Sequence, residues 1–208
     1  MHFKTYPITY SLIALNCLVY LITTLDPSSI AGMSPIQFKL ALYPAAMYLH
    51  NEWWRLLTSV FVHGSLIHLL GNMFALLIFS NFVERAFGSG YYFFIYFIGG
   101  IGANLIAYSY AVYFNLANYV AIGASGAVLA IFGAGLALFI YTSKYAKNAQ
   151  QVFASKQMIN RMLAMAVIQT IIDITNEQSS FLHHVSGFII GFILAGFLLM
   201  KQRNNKKY

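Results

Sequence analysis

The chain has 208 residues, of which 60% are hydrophobic and only 8% are charged. Because a soluble domain carries about 25% charged residues, this composition excludes a water-soluble protein and indicates a chain that crosses the membrane several times. The formal net charge of +7 is compatible with nucleic-acid binding, but the positions of the basic residues argue against that partner. The single cysteine, Cys17, excludes a disulfide within the chain.

Six apolar segments meet or approach the roughly 20 residues that a membrane span needs. Because backbone polar groups in lipid must be bonded within their own segment, each is predicted to be a helix. The fourth and fifth are short and are expected either to be surrounded by other helices or to lie where the bilayer is thin. We therefore predict an all-α membrane protein, a single six-helix transmembrane domain over residues 1–208 with a core of about 6–200. The segments are Tyr6–Leu25, Ser65–Phe82, Tyr91–Phe114, Ser125–Tyr141, Met158–Ile174 and Phe181–Met200.

Basic residues concentrate on one side of these segments. If both termini are cytoplasmic, the opposite side holds only Lys39 and Arg55. This bias predicts cytoplasmic N- and C-termini, with residues 201–208 as a basic cytoplasmic tail that anchors the topology. No nucleic-acid partner is expected, and the short N-terminus without an organelle-targeting segment suggests a bacterial plasma membrane. The cytoplasmic residues would be Lys4, Arg85, Lys144, Lys147, Lys156, Arg161, Lys201, Arg203, Lys206 and Lys207.

The first outer connection, residues 26–64, is long and rich in aromatic residues, with Trp53-Trp54-Arg55 near its end. Interfacial aromatic side chains usually lie at headgroup depth, and a loop of this length is often functional. We expect this connection to lie partly in the outer leaflet as a short helical hairpin, in contact with membrane lipids. Arg55 is expected to order it through carbonyls or headgroups.

Four polar residues begin the even-numbered spans: His68 and Asn72, Ser125, and His184. Even-numbered spans run in the same direction, so these side chains should share one layer near the outer surface. Polar groups inside a membrane are costly and indicate a functional site. A neutral imidazole within hydrogen-bond reach of a serine hydroxyl can take its proton during attack on a carbonyl.

We therefore predict a catalytic dyad of Ser125 as nucleophile and His184 as base. Ser125 heads its helix, where unpaired backbone N–H groups can hold a developing oxyanion. His68 and Asn72 lie four residues apart on one helix face, and their side chains could add donors to this hole. Asn72 could instead bond a neighbouring helix, and His63, nearer the loop, could support the site or lie at the interface.

The dyad requires close approach of two helices, and small residues provide it. Gly126, Ala130 and Ala134 form a stripe on the fourth span, and Gly187 and Gly191 form a G-x-x-x-G step on the sixth. Small residues let membrane helices approach closely. No buried acid stands near to orient the imidazole, since Asp173 and Glu177 belong to the outer end of the fifth span.

Taken together, these motifs resemble the rhomboid family of intramembrane serine proteases, over roughly Trp53 to Gly191. The resemblance implies a six-helix fold, the same dyad, and an oxyanion hole of His68, Asn72 and the Ser125 N–H. It also implies a fifth span that gates access to single-span transmembrane substrates, which are cut near the outer face, with no cofactor and no metal. The motifs are Gly123-Ala124-Ser125-Gly126, His184-x-x-Gly187-x-x-x-Gly191, His63-x-x-x-x-His68-x-x-x-Asn72, the Trp54-Arg55 pair, and Glu84 as a buried cytoplasmic loop anchor.

Two positions depart from the family pattern. Leu129 stands four residues after the serine, where many members carry an aromatic residue that packs on the imidazole, and His183 stands before His184, where a small residue is common. Two other functions are weighed. A catalytically inactive, client-binding relative would normally lack the serine or the histidine, and a transporter would need polar residues along a whole pathway. The oligomeric state does not follow from the sequence.

Overall fold

The computed structural model describes residues 6–25, 33–116, 118–175 and 181–205. Within those ranges the structure has nine α-helices and no strand, which confirms the predicted all-α class. A single 3-10 turn, Ser59–Phe61, follows the fourth helix directly. The helices are α1 (Pro7–Thr24), α2 (Pro35–Leu40), α3 (Pro44–His50), α4 (Arg55–Thr58), α5 (Leu66–Phe87), α6 (Ser89–Tyr113), α7 (Ser125–Tyr145), α8 (Ala149–Thr175) and α9 (Phe181–Asn205).

Six of these helices are long, and five of the six are long and apolar enough to cross a membrane: α1, α5, α6, α7 and α9. The chain is therefore a multi-pass membrane protein. The predicted fifth span corresponds to α8, which does not reach the same apolar character in its described part. Its first half explains the difference, because it carries Gln150, Gln151, Lys156, Gln157, Asn160 and Arg161.

The helices extend beyond the predicted apolar runs. Helix α5 continues to Phe87 rather than Phe82, α8 begins at Ala149 rather than Met158, and α9 continues to Asn205, into the predicted basic tail. A span boundary predicted from hydropathy is placed where charged residues begin. Helical hydrogen bonds do not need an apolar environment, so the helices continue into the interface.

Helix α7 lies at the centre of the bundle and packs against α5, α6, α8 and α9. About 61% of its most apolar window is buried, the highest share among the candidate spans of the described residues. The prediction that the fourth span is surrounded is therefore confirmed. The same prediction for the fifth span is wrong, because α8 has 27 residues and exposes much of its apolar surface, including Val167, Ile168 and Ile171. Its apolar residues face outward, as expected for a helix at the edge of a membrane bundle.

Glycines bring α7 and α9 into backbone contact. A side chain on Gly187 would collide with the carbonyl group of Gly126, and one on Gly191 would collide with that of Ala130. On α7, Gly133 lies in the same way against the backbone of Phe188. Because small residues remove the side-chain layer between helices, these two helices form the tightest long packing contact of the fold.

The described part of the first outer connection folds into three short helices. Ser34 and Gln37 form a capping box at the start of α2, and Gln37 also donates to the carbonyl of His63. Arg55 is buried; it donates to the carbonyls of Phe38 and Ala41, each at 2.8 Å, and forms an ion pair with Glu52 at 2.6 Å. Arg55 thus bonds two carbonyl groups and one carboxylate of this connection.

Glu84 connects the N-terminus of α1 to the C-terminal end of α5. It lies in the last turn of α5, because α5 is longer than its apolar run. Its buried carboxylate accepts hydrogen bonds from the backbone N–H groups of Ile8 and Thr9, from the Thr9 hydroxyl and from the Ser89 hydroxyl. A carboxylate at the N-terminus of α1 satisfies donors that have no partner within the helix.

Candidate active site

Ser125 and His184 meet at the start of α7 and α9. The Nε2 atom of His184 lies 2.9 Å from the Oγ atom of Ser125, although the two residues are 59 positions apart in the chain. Ser125 is the first residue of α7, and His184 lies in the first turn of α9. Both side chains are half-buried. A neutral imidazole at this distance can accept the hydroxyl proton when the oxygen attacks an electrophile.

Gly123 shapes the space next to this pair. Its φ is +117°, a backbone conformation that glycine adopts without a steric penalty. A side chain at Gly123 would lie 2.8 Å from ring atoms of His68 and 3.7 Å from Nδ2 of Asn72. The absence of a side chain at Gly123 therefore leaves an open space next to Ala124. This space is bounded by the imidazole of His68 and the amide of Asn72.

The amide of Asn72 points into a buried environment without a partner. Asn72 is 8% exposed, and its Nδ2 group makes no hydrogen bond within the described part of the chain. The alternative that it bonds a neighbouring helix is therefore not what the structure contains. A donor held without a partner close to Gly123, two residues before Ser125, is suited to bind charge that develops during a reaction.

The first turn of α7 adds backbone donors. The first hydrogen bond of this helix runs from Val128 N–H to the Ala124 carbonyl at 2.8 Å, so the preceding N–H groups, including that of Ser125, lack helical partners. These groups carry the positive end of the helix dipole. The same end of α7 thus presents both a hydroxyl and the donors that would stabilise an oxyanion.

His63 lies behind His68 rather than at the serine. Its ring is fully buried, Nδ1 lies 3.2 Å from the Phe61 carbonyl oxygen, and its ring centroid is 5.1 Å from that of His68. Burial, together with the nearby His68, lowers the pKa of His63 to about 4. The imidazole is therefore neutral near pH 7 and packs against His68 as an uncharged support.

Asn104 and Ser59, which the sequence analysis did not single out, support the loop before Ser125. Asn104 of α6 donates to the Leu56 carbonyl at 2.7 Å and to the Ser59 hydroxyl at 2.9 Å, and the Ser59 carbonyl accepts the N–H of Gly123. This chain of bonds connects the 3-10 turn to the loop before Ser125. An asparagine in an apolar span was the signal that could have found it.

A family model and several known proteins match most of the chain. Residues 50–201 match the description "Rhomboid domain". The chain belongs to the rhomboid family. It is similar to YdcA of Bacillus subtilis, a rhomboid protease by its provisional name, with 27% identity over 99% of this chain and 94% of that protein.

Two further relatives match smaller shares of this chain. The "Rhomboid protease AarA" of Providencia stuartii is 28% identical over 90% of this chain and 71% of its own. The "RHOMBOID-like protein 6, mitochondrial" of Arabidopsis thaliana is 31% identical over 76% of this chain, which spans about half the length of that protein (50%). The fold expected from the resemblance is therefore shown, and the hydrolase, protease and membrane character of the relatives agrees with it.

In this rhomboid, His183 is buried where a small residue is common. It is 3% exposed, and its Nε2 makes no hydrogen bond to any described residue. Nε2 lies 2.6 Å from the position that a side chain on Gly126 would take. His183 thus packs toward α7 away from Ser125, and His184 is the histidine that reaches the serine hydroxyl.

The second departure from the family pattern, Leu129, borders a cavity of about 420 Å³ beneath the serine. Its walls come from α5, α7, α8 and α9, among them Phe79, Phe132 and Ala166, with His184 at its upper end. The lining is mostly apolar, which suits an apolar side chain rather than a polar small molecule.

Trp54 is 48% exposed, as expected for an interfacial aromatic residue.

The described residues contain no group of three or more His, Cys, Asp or Glu side chains that could hold a metal ion. The side chains of Asp173 and Glu177, which the sequence analysis set aside as partners of the histidine, lie outside the described residues.

Proposed function

We propose that this rhomboid is an intramembrane serine endopeptidase that cleaves single-span transmembrane substrates near the outer membrane face. The observation that carries the proposal is the 2.9 Å separation of Ser125 Oγ and His184 Nε2, in a chain whose relatives include named rhomboid proteases. A half-buried hydroxyl–imidazole pair at the head of a helix has the geometry that acyl transfer needs.

The reaction proceeds in two halves. Ser125 Oγ attacks the scissile carbonyl carbon, and His184 Nε2 accepts the hydroxyl proton. The tetrahedral intermediate collapses as the C–N bond breaks and His184 returns the proton to the leaving amine. A water molecule then attacks the acyl-enzyme, His184 takes one of its protons, and Ser125 leaves as the free hydroxyl with that proton. The steps use only side chains of this chain and require no cofactor.

The oxyanion is held by the Ser125 N–H and by the side chains of His68 and Asn72. Support comes from the position of Gly123, whose missing side chain leaves the space that these groups border, and from the unpartnered amide of Asn72. His63 backs His68, and Gly126, Gly187 and Gly191 hold α7 and α9 at the separation that the dyad requires. Trp54, Arg55 and Glu84 support the frame around it.

Substrates reach the dyad laterally, between α5 and α8. The cavity of about 420 Å³ has walls on both of these helices and His184 at its upper end, so a side chain of an unwound substrate segment could occupy it. Helix α8 packs at the edge of the bundle and serves as the gate. Loops and lids of this kind often limit the turnover rate.

The proposed topology places both termini in the cytoplasm of a bacterial plasma membrane. Support comes from the ends of the helices: the end opposite Ser125 carries the basic residues, in agreement with the positive-inside rule. Ser125 then lies near the outer face. An inactive client-binding protein is the alternative, and no feature of the described site favours it over a protease.

The test is co-expression with a tagged single-span substrate. Wild type should yield a cleaved fragment, and Ser125→Ala and His184→Ala should abolish it. Matched controls are Ser109→Ala and His50→Ala, which remove an exposed serine and an exposed histidine away from the dyad and should retain full cleavage. A fluorophosphonate probe should label wild type and the controls but not Ser125→Ala.

The two readouts separate the possible failures. Cleavage that persists in Ser125→Ala would eliminate the serine mechanism. Labelling without cleavage would identify an active nucleophile that was offered an unsuitable substrate. Loss of both signals in folded wild-type protein would favour the client-binding alternative.

A further inference from the structure

A second cavity lies at the end of the bundle opposite Ser125. It is an open groove of about 490 Å³, lined by residues of α5, α7 and the first half of α8. Its apolar walls include Phe82, Phe139 and Met158, and its polar groups include Thr142, Ser155 and Arg161. A cavity of this size is within the range of small-molecule sites, and its mixed lining suits a ligand that is apolar at one end and charged at the other.

The cavity lies inside the membrane-facing part of the bundle rather than beyond its ends. Phe82 precedes the end of α5 by about 8 Å, and Phe139 precedes the end of α7 by about 9 Å, at a rise of about 1.5 Å per residue. This depth corresponds to the boundary between headgroups and acyl chains, where a phospholipid presents its phosphate to one side and its hydrocarbon chains to the other.

Arg161 at the cavity lacks a protein partner. It makes no hydrogen bond or ion pair with any described residue, and the one ion pair among the described residues joins Arg55 to Glu52. Its side chain is exposed, and the buried Ser155 lines the same groove. A guanidinium at the edge of the hydrocarbon is costly unless an anion accompanies it.

The protein does not supply that anion at this end. The only acidic residue among the described residues here is Glu84, whose carboxylate is already occupied by α1 and Ser89. The surplus of positive charge therefore calls for negative charge from outside the chain. The basic residues of the described part at this end are Arg85, Lys144, Lys147, Lys156, Arg161, Lys201 and Arg203.

We propose that this cavity binds an anionic phospholipid, with its phosphate at Arg161 and Ser155 and an acyl chain against Phe82, Phe139 and Met158. Arginine suits this role because its planar group can donate two parallel hydrogen bonds to one phosphate, and basic pockets between transmembrane helices are known to take lipid headgroups. A bound lipid would fill the gap between α5 and α8 at this end. The proposal does not depend on the proposed protease activity.

The test uses full-length protein, delipidated in detergent and exposed to equal amounts of phosphatidylglycerol and phosphatidylcholine, with retained lipid counted by native mass spectrometry. Wild type should prefer phosphatidylglycerol, and Arg161→Gln should reduce this preference about fivefold, as expected for one basic side chain at a membrane surface. The matched control is Lys156→Gln, which removes the same charge from an exposed position on the same helix outside the cavity wall, and it should keep the wild-type preference.

A second variant changes the shape of the cavity without changing its charge. Ala154→Trp places an indole in the cavity wall and should also abolish the preference for phosphatidylglycerol. Inorganic phosphate at millimolar concentration should not displace the lipid, because it lacks the acyl chain. Equal losses in Arg161→Gln and Lys156→Gln, unchanged retention in Ala154→Trp, or displacement by phosphate alone would each overturn the proposal.

Discussion

The imidazole of His183 occupies the space that a side chain on Gly126 would need. Nε2 of His183 lies 2.6 Å from the position of that absent Cβ, and the Cβ of Ala103 lies 3.0 Å from it on another side. The contact joins α9 to α7 one residue away from Ser125 and from His184 on their respective helices. The fit of these two residues therefore bears directly on the distance between serine and histidine.

Gly126→Ala should reduce cleavage strongly, because the new methyl group must displace His183 and separate the two helices. Overpacking of this kind costs about 1–3 kcal/mol, and a shift of 1 Å between reacting groups can cost about a hundredfold in rate. The double variant Gly126→Ala with His183→Ala should recover much of the lost rate. The measurement is the cleavage rate of a tagged single-span substrate together with the melting temperature of each variant.

The contrary result would be a double variant as inactive as Gly126→Ala alone. In that case the glycine would be needed for backbone approach and not for the space that His183 fills. Retained labelling of folded Gly126→Ala by a fluorophosphonate at the wild-type rate would likewise show that the dyad tolerates the methyl group.

Gly191→Ala should destabilise the protein, whereas Gly196→Ala should not. The methyl group at residue 191 would collide with the backbone of Ala130, but nothing lies within 4 Å of the same position at Gly196. Alanine favours a helix over glycine by about 1 kcal/mol, so any loss at Gly191 must come from the collision. Thermal unfolding in detergent should show a lower Tm for Gly191→Ala and an equal or higher Tm for Gly196→Ala; equal shifts would refute the close approach.

The overall fold follows from the sequence because lipid imposes one rule on every span. Each apolar segment must be a helix, and the small residues of α7 and α9 identify the pair that packs closest. The positions of the helix ends could not be predicted from the same rule. The second span was predicted to end at Phe82, because a charge usually closes an apolar run, yet the four hydrogen bonds of Glu84 let α5 continue past this buried carboxylate.

The nature of α8 and the frame behind the site were also hidden from the sequence. Helix α8 was expected to be enclosed because its apolar run is short, but enclosure depends on neighbours that no local pattern specifies. Asn104 was passed over because a single amide in an apolar span does not reveal which distant residues it meets, here Leu56 and Ser59. Long-range partners of this kind come from packing and not from periodicity.

Glu84→Gln should lower the stability of the fold by about 2 kcal/mol, since hydrogen bonds to a charged group contribute about 1.5–3 kcal/mol each. An amide offers one acceptor oxygen in place of two, and its NH₂ group would face the N–H donors of Ile8 and Thr9. Arg85→Ala removes the exposed neighbour and is the control. Unfolding followed by tyrosine and tryptophan fluorescence should show a lower Tm for Glu84→Gln alone; a matching loss in Arg85→Ala would point to surface charge instead.

Asn72→Ala and Asn104→Ala should separate catalysis from stability, because the two asparagines differ in their bonding. The Nδ2 group of Asn72 has no partner among the described residues, so its removal should leave the Tm nearly unchanged while kcat falls about 10²–10³-fold, the usual effect of losing one oxyanion donor. Asn104 donates two hydrogen bonds, so the main effect of its removal should be a lower Tm. Steady-state cleavage and thermal unfolding of both variants provide the comparison, and an Asn72→Ala protein with wild-type kcat would remove Asn72 from the oxyanion hole.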